Sequence, residues 1–400
     1  MTMRVAIVHH GFIPTYRVRL FELLNAGADE YVVYHGLPPS NIAAKAAEGP
    51  FAFPTRWVDN RELNLMGWTA IYQPVLREVM TGGYDAVVLG HEIKFLTNLA
   101  LAPLERLRGV PVLYWGFGYH VSMGEGLTSK PSGLKGRVAT PIKQALTRLA
   151  DGFVVYTDNG AKRLAATGFP SDRIFVLRNT VDVTEQIRLH AALENADTAG
   201  LRAKFGLRPD SVVLLYVGRL LEAKKVEQLV EATRLINARG RAPAPVEAVI
   251  IGTGPMEASL REAAARVPGV HMTGEIYDQP TVAEYMKVAS TIVIPGFVGL
   301  AVNHAFAQGR PVITRANDLH SPEVEYMVPG VNGLIVDGDF DAFVGAIEAF
   351  AADPVAQRTL ADGALASRDG LRMEYMAAQF DHAVRTTIAR KRGRRVAAAA

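Results

Sequence analysis

The sequence predicts an α/β protein made of two Rossmann-like, doubly wound parallel-sheet domains facing each other across a cleft. Three observations predict it. Short, wholly apolar runs alternate with amphipathic stretches along the chain. The scheme occurs twice, with six apolar runs in each half. A polar stretch, His190–Asp210, with Gly200, Gly206 and Pro209, separates the halves. Strands that are apolar throughout belong to parallel sheets covered on both faces, and helices between them supply the covers.

In the first half the strand candidates are Arg4–His9, Glu30–His35, Tyr84–Gly90, Val110–Trp115, Phe153–Thr157 and Ile174–Arg178. Helical periodicity falls on Tyr16–Ala26, Trp68–Thr81, Leu96–Arg108 and Pro141–Ala150. In the second half strands are expected at Val212–Val217, Ala248–Ile251, Val270–Met272, Thr291–Ile294, Pro311–Thr314 and Gly333–Val336. Helices are expected at Lys225–Ala238, Met256–Arg266, Thr281–Ala289 and Leu300–Gln308. The expected domains are residues 1–190 and 191–370, followed by 371–400, whose helical pattern Arg372–Arg390 is expected to pack back on the first domain. Open α/β sheets bind ligands outside the carboxyl ends of their strands, so the chemistry is expected on the loops there.

Composition excludes several classes. Apolar residues make up 49% and charged residues 21%, which is too apolar for a disordered chain. There is no Cys, which removes disulfides, thiolate nucleophiles and Cys-ligated zinc, and suits a reducing cytoplasm. The net charge of +3 is more than accounted for by Arg390, Lys391, Arg392, Arg394 and Arg395, so it reads as a property of a frayed tail and gives no nucleic-acid face. No stretch has the ~18 consecutive apolar residues of a membrane span. Val5–Val8 is too short for the core of a secretory signal and reads as a strand.

The most informative motif is Tyr216-Val217-Gly218-Arg219-Leu220-Leu221-Glu222-Ala223-Lys224-Lys225. Arg219 directly follows a strand, and Lys224 lies at an expected helix start. Two cations and helix N-terminal N–H groups then converge on one point, which suits a diphosphate. Taken alone, such a loop reads more readily as a solvated basic turn. Further along come Ile251-Gly252-Thr253-Gly254-Pro255, Val270-His271-Met272-Thr273-Gly274-Glu275-Ile276, Ala305-Phe306-Ala307-Gln308-Gly309-Arg310-Pro311 and Gly330-Val331-Asn332-Gly333.

In order and spacing, this set resembles the second domain of the family 4 retaining glycosyltransferases, over roughly Val212–Phe350. The first half is similar only in strand pattern, in Tyr16-Arg17 and in Tyr114-Trp115-Gly116-Phe117-Gly118. The resemblance implies the glycosyltransferase B architecture and a nucleotide-diphosphate sugar donor, UDP- or GDP-linked, with no separate cofactor. It implies that Arg219 and Lys224 stabilise the diphosphate leaving group, in place of a metal. The donor-side set it implies is Gly218, Gly254, Glu275, Ile276 and the loop Gly296, Phe297, Val298, Gly299 and Leu300, with His304 and Glu323.

The chain departs from the family at one conspicuous place. The family's paired glutamates align with Gly296 and His304, and both are missing. Either this is a variant enzyme, in which the Pro295–Gly299 loop offers backbone N–H groups and His304 meets the ribose, or a domain that has lost transfer. A core-edge histidine also explains His304. Glu323, in Ser321-Pro322-Glu323 with Ser321 as cap, either replaces a lost carboxylate or supports the helix start. Asp337-Gly338-Asp339 looks like a metal motif, but Asp339 as an N-cap explains it better, so no metal is expected.

On the first domain, His10 and Gly11 end one strand and His91 ends another. With Tyr16, Arg17 and His120 they form the expected acceptor side, although each His also reads as structural. Lys130, Lys135, Arg137, Lys143 and Arg148, with no acid among them, fit either a solvated face or contact with an anionic membrane at its inner side. The whole reading is a metal-independent, retaining hexosyl transfer from a nucleotide-diphosphate sugar to a hydroxyl acceptor, as in polysaccharide biosynthesis. A same-fold nucleotide-sugar epimerase and a non-catalytic partner protein remain the alternatives.

Overall fold

The computed structural model describes residues 2–9, 11–38, 46–65, 68–118, 133–317 and 320–399. His10, His120 and Lys130 lie outside the described residues, as do Asp318 and Leu319. The chain forms two compact units. One comprises residues 1–123, 128–181 and 373–400; the other comprises 124–127 and 182–372.

Among the described residues, the first unit is built on the parallel strands β1 (Arg4–Val8), β2 (Glu30–His35) and β3 (Thr55–Trp57), the antiparallel pair β4 (Arg61–Leu65) and β5 (Trp68–Tyr72), and the parallel strands β6 (Ala86–Gly90), β7 (Val112–Gly116), β8 (Gly152–Val155) and β9 (Ile174–Val176). The parallel sheet has the order β3-β2-β1-β6-β7-β8-β9, one strand more than the sequence pattern suggests. The extra strand, β3, has only three residues. The helix expected over Trp68–Thr81 is a strand followed by a short helix, Leu76–Thr81. Trp68–Tyr72 pairs antiparallel with Arg61–Leu65, and this hairpin pairing overrides the helical periodicity.

Val5, Ala6, Ile7 and Val8 are buried on alternate faces of the sheet. Ala6 and Val8 pack with Leu101, Ala102 and Leu146. Val5 and Ile7 pack with Met376, Phe380, Val384 and Ile388 of the terminal helix Met373–Ala399. Those four recur every fourth residue, the spacing of one helix face, and each is worth about 1.5–3 kcal/mol when fully buried.

Of the basic residues expected to form a frayed tail, Arg390, Lys391 and Arg392 are instead engaged, as is Arg385 earlier on the same helix. Lys391 Nζ pairs with Asp151 at 2.8 Å, Arg392 with Asp85 at 2.7 Å, Arg390 with Asp172 at 3.5 Å, and Arg385 with Asp29. Three of these acids also accept the backbone N–H that opens a neighbouring segment: Asp29 from Met3, Asp85 from Arg4 and Asp151 from Val112. The helix is thus fastened to the amino ends of the strands.

The second unit carries β10 (Val212–Val217), β11 (Val246–Ile251), β12 (Val270–Gly274), β13 (Thr291–Ile294), β14 (Val312–Arg315) and β15 (Gly333–Val336). All are parallel, in the order β12-β11-β10-β13-β14-β15. The chain winds outward from β10 through β11 to β12, then returns to β13 on the other side of β10. The strand order therefore reverses between β10 and β13, and the loops after these two strands meet at the switch point. The polar stretch 190–210 is not a bare linker. It contains the helix Thr198–Lys204, capped by Asp197, and the end of the helix Thr184–Ala192.

Candidate active site

The turn after β10 starts at Gly218 and is held from two sides. Gly218 N–H donates to Ile251 O at 3.0 Å, Leu220 N–H to Thr253 O at 2.9 Å, and Tyr216 Oη to Arg219 O at 2.8 Å. The β11 turn comes so close that a Cβ on Gly252 would lie 1.9 Å from Gly218 O, and one on Gly254 2.6 Å from Leu220 O. Glycines there let the two backbones touch. Gly254 therefore supports the Arg219 turn. Lys224 does not begin a helix as expected. It ends the 3₁₀ turn Glu222–Lys224, Lys225 adopts a left-handed φ of 51°, and the helix starts at Glu227.

This geometry joins the β10 turn to the loop after β13. Gly296 N–H donates to Lys224 O at 2.9 Å and Phe297 N–H to Ala223 O at 2.8 Å. Lys224 Nζ donates to Phe297 O at 2.6 Å and stands 4.8 Å from the Phe297 ring centroid. A Cβ on Gly296 would lie 2.2 Å from Ala223 O. Position 296, where the resembled family has a glutamate, thus has no room for a side chain in this arrangement.

The two cations differ. The Arg219 side chain is exposed and has no hydrogen bond or ion pair among the described residues. Lys224 is half-buried with no carboxylate partner among the described residues, and burial pushes its pKa down to about 8. A half-buried ammonium facing a carbonyl and a ring is poised for an anion that would restore its charge.

The expectation that the whole Pro295–Gly299 loop offers N–H groups needs correction. The N–H groups of Gly296 and Phe297 are spent on the β10 turn, and Val298 N–H donates to His320 Nδ1 at 3.0 Å. Gly299 and Leu300 keep uncommitted N–H groups among the described residues, ahead of the short helix Ala301–Ala307. His304 lies one turn into that helix, half-buried, with burial holding its pKa below the ordinary range, so its ring is neutral at pH 7.

Glu323 is buried, at 3% exposure, in the 3₁₀ turn Pro322–Tyr326. Ser321 makes no side-chain cap; its N–H donates instead to Val298 O at 2.9 Å. After β12, Glu275 is exposed and Ile276 packs on the core. Asp339 caps the helix Phe340–Ala352, accepting from Ala342 N–H at 2.9 Å.

In the first unit, the residues at the strand ends are largely satisfied internally. Gly11 has φ 77°, and its carbonyl accepts from Gly36 N–H and Asn60 Nδ2, both at 2.7 Å. His91 is buried, with Nε2 2.9 Å from Thr147 Oγ1. Tyr16 is half-buried. Arg17 is 2% exposed, bonded to Asn179 Oδ1 and to Thr180 O at 3.3 Å, with its guanidinium 5.0–5.9 Å from the rings of Tyr16, Trp115 and Tyr156. It is not displayed at the surface. Sequence reasoning missed its packing role, and also His9, which stacks on Trp115 at 4.1 Å. His320 was missed too; its one signal is a His placed just after β14, at the end of the sheet that carries the site.

Comparison with known proteins fits this placement. Residues 211–353, which carry the whole donor-side set, match the family described as "Glycosyl transferases group 1". A D-inositol 3-phosphate glycosyltransferase of Kribbella flavida is 26% identical over 258 residues, 61% of this chain and 58% of that protein, so the chain spans less than two thirds of its length. The putative glycosyltransferase EpsD of Bacillus subtilis is 25% identical over 286 residues, 70% of each chain. The crystal structure of Anabaena HepE in complex with UDP superposes with a TM-score of 0.65 at 16% identity, covering 96% of this chain and 100% of that one. The fold is the two-domain glycosyltransferase B fold. The second unit is thus similar to that family, and the first unit shares with these proteins the fold.

Proposed function

We propose that the protein is a retaining glycosyltransferase that moves a hexosyl unit from a nucleotide-diphosphate sugar to a hydroxyl acceptor, without a metal. The observation that carries this reading is the switch point of the second unit. There an unpaired Arg219, a half-buried Lys224 and the uncommitted N–H groups of Gly299 and Leu300 lie on the two loops that flank it. This is a set for a diphosphate. UDP is the first nucleotide to test, because HepE, of the same fold, was solved with it.

In the reaction the bond between the sugar's anomeric carbon and the diphosphate oxygen breaks, and its electron pair stays on the diphosphate. A new bond forms from the anomeric carbon to the acceptor oxygen, whose proton passes to a diphosphate oxygen. Charge grows on the leaving group, so fixed cations lower the barrier more than they stabilise the ground state. Arg219 and Lys224 supply those cations. Retention of configuration and a place in polysaccharide biosynthesis follow from the family 4 resemblance. Glu323 and His304 are proposed on the sugar and ribose side, and the half-buried Tyr16 on the acceptor side.

The test is a thermal-shift panel of nucleoside diphosphates and their sugars. A ligand at 100 times its dissociation constant stabilises by about 2.7 kcal/mol. Turnover that requires a hydroxyl acceptor supports transfer; turnover without one supports an epimerase; binding without turnover supports a non-catalytic partner. Transfer that is lost in chelator and restored by magnesium or manganese contradicts the metal-free reading.

A further inference from the structure

We propose that His320 is a positioning residue for the diphosphate turn: its neutral imidazole fixes Val298, and through it aims the Gly299 and Leu300 N–H groups. The proposal rests on the donor-site reading above and goes beyond it, because His320 touches no part of the donor.

The geometry defines the role. His320 is 4% exposed and follows β14, on the neighbouring loop of the sheet. Its Nδ1 accepts the Val298 N–H at 3.0 Å, so that nitrogen carries no proton. Its Nε2 lies 2.7 Å from Arg315 O, which only accepts, so that nitrogen is the donor; Asn317 Nδ2 stands 3.1 Å from the same nitrogen and donates to the same carbonyl at 3.3 Å. One tautomer satisfies both. The next residue, Ser321, donates its N–H to Val298 O at 2.9 Å. Both backbone polar groups of Val298 are therefore gripped from the β14 loop, one residue before the free N–H groups. Gly296 and Phe297 are gripped from the β10 turn on the other side. A three-residue stretch held at every N–H leaves the next two amides little freedom, which is the preorganisation an anion site needs.

The role depends on charge state. Burial holds the ring below the ordinary His range; the Arg315 carbonyl opposes that, and the charge on Lys224 adds to it. Lys224, on the β10 turn, is the charged side chain bearing on the ring among the described residues. Protonated His320 would set an N–H against the Val298 N–H, and the turn would have to move. Donor affinity is therefore expected to fall as pH drops below the His320 pKa, beneath 6.5.

The experiment measures UDP and uridine dissociation constants by calorimetry from pH 5 to 8 for wild type, His320→Ala and His320→Asn, with ligand-free melting curves as a folding check. The Asn oxygen replaces the Nδ1 acceptor but does not titrate. The expected result is UDP binding weakened about tenfold or more in His320→Ala at pH 8, with uridine unchanged. His320→Asn is expected to restore most of that affinity and to lack the acid-side loss. UDP's own protonation is common to all three and cancels in the ratios. If His320→Ala binds UDP like wild type, or if the Asn variant keeps the wild-type acid limb, the positioning role is wrong while the donor site stands. If wild type binds neither UDP nor GDP, the donor-site reading fails and the proposal falls with it.

Discussion

The two units share one construction and use their strand ends differently. In each, a parallel sheet reverses its strand order beside its first strand, at β1/β6 and at β10/β13. In the first unit, the polar residues near that point are turned inward: Arg17 among three aromatic rings, His9 against Trp115, His91 on Thr147. In the second unit, Arg219 points out unpaired, and Lys224 has a carbonyl and a ring but no carboxylate. Similar placement on a fold therefore does not assign similar roles. What separates a binding arginine from a packing one is where its donors end.

The largest expected effects sharpen that contrast. Lys224→Ala should reduce the transfer rate by several hundredfold or more, since both ground-state binding and leaving-group stabilisation go. Arg17→Ala should leave donor binding intact and instead lower the melting temperature of the first unit, as expected when a large buried side chain and its hydrogen bonds are deleted, a cost of about 2–4 kcal/mol. If Arg17→Ala spared stability and raised only the acceptor's KM, the inward reading of Arg17 would be wrong.

A second contrast lies in Gly296. Restoring the glutamate that the resembled family carries should impair this chain, not improve it. Gly296→Glu places a Cβ 2.2 Å from Ala223 O and forces the two loops apart. Donor affinity is expected to drop at least tenfold, measured by UDP calorimetry; a gain in transfer rate would contradict this loop packing.

The terminal helix gives the next effect. Lys391→Ala leaves Asp151, 8% exposed at its side chain, without its cation. Removing one partner of a buried pair is costly, and here about 2 kcal/mol of first-unit stability is expected to be lost, read as a lower unfolding midpoint in urea. Arg390→Ala, whose pair is exposed, should shift the midpoint by less than about 0.5 kcal/mol.

The smallest effect is in pH. Burial favours the neutral amine of Lys224, and a bound diphosphate favours the ammonium. On the alkaline side, affinity should therefore hold up to about pH 8, the pKa of Lys224, and decline above it. Lys224→Arg should flatten that alkaline limb.

The sheets of both units were legible because apolar strands such as Val5–Val8 and Val212–Val217 announce themselves. Arg219 and Lys224 were legible as a pair of cations after a strand. Three things were not. The β4–β5 hairpin was masked by local helical periodicity over 68–81. Arg390, Lys391 and Arg392 read as a tail because their partners Asp172, Asp151 and Asp85 lie more than 200 residues away. The accounting of N–H groups on the 295–300 loop was illegible because backbone amides leave no mark in side-chain identity. With the N–H groups of Gly296, Phe297 and Val298 committed, the anion site expected over 295–300 narrows to Gly299 and Leu300, and the partner that holds Val298 is His320.

The central claim is that the switch point of the second unit binds a diphosphate through Arg219 and Lys224. The measurement that tests it most directly is calorimetric titration of UDP, GDP and their nucleosides into wild type and the Arg219→Ala/Lys224→Ala double variant. The account predicts that one of the two diphosphates binds wild type, that the double variant loses about a hundredfold or more of that affinity, and that the matching nucleoside binds both proteins alike. A double variant that binds the diphosphate as tightly as wild type would contradict it.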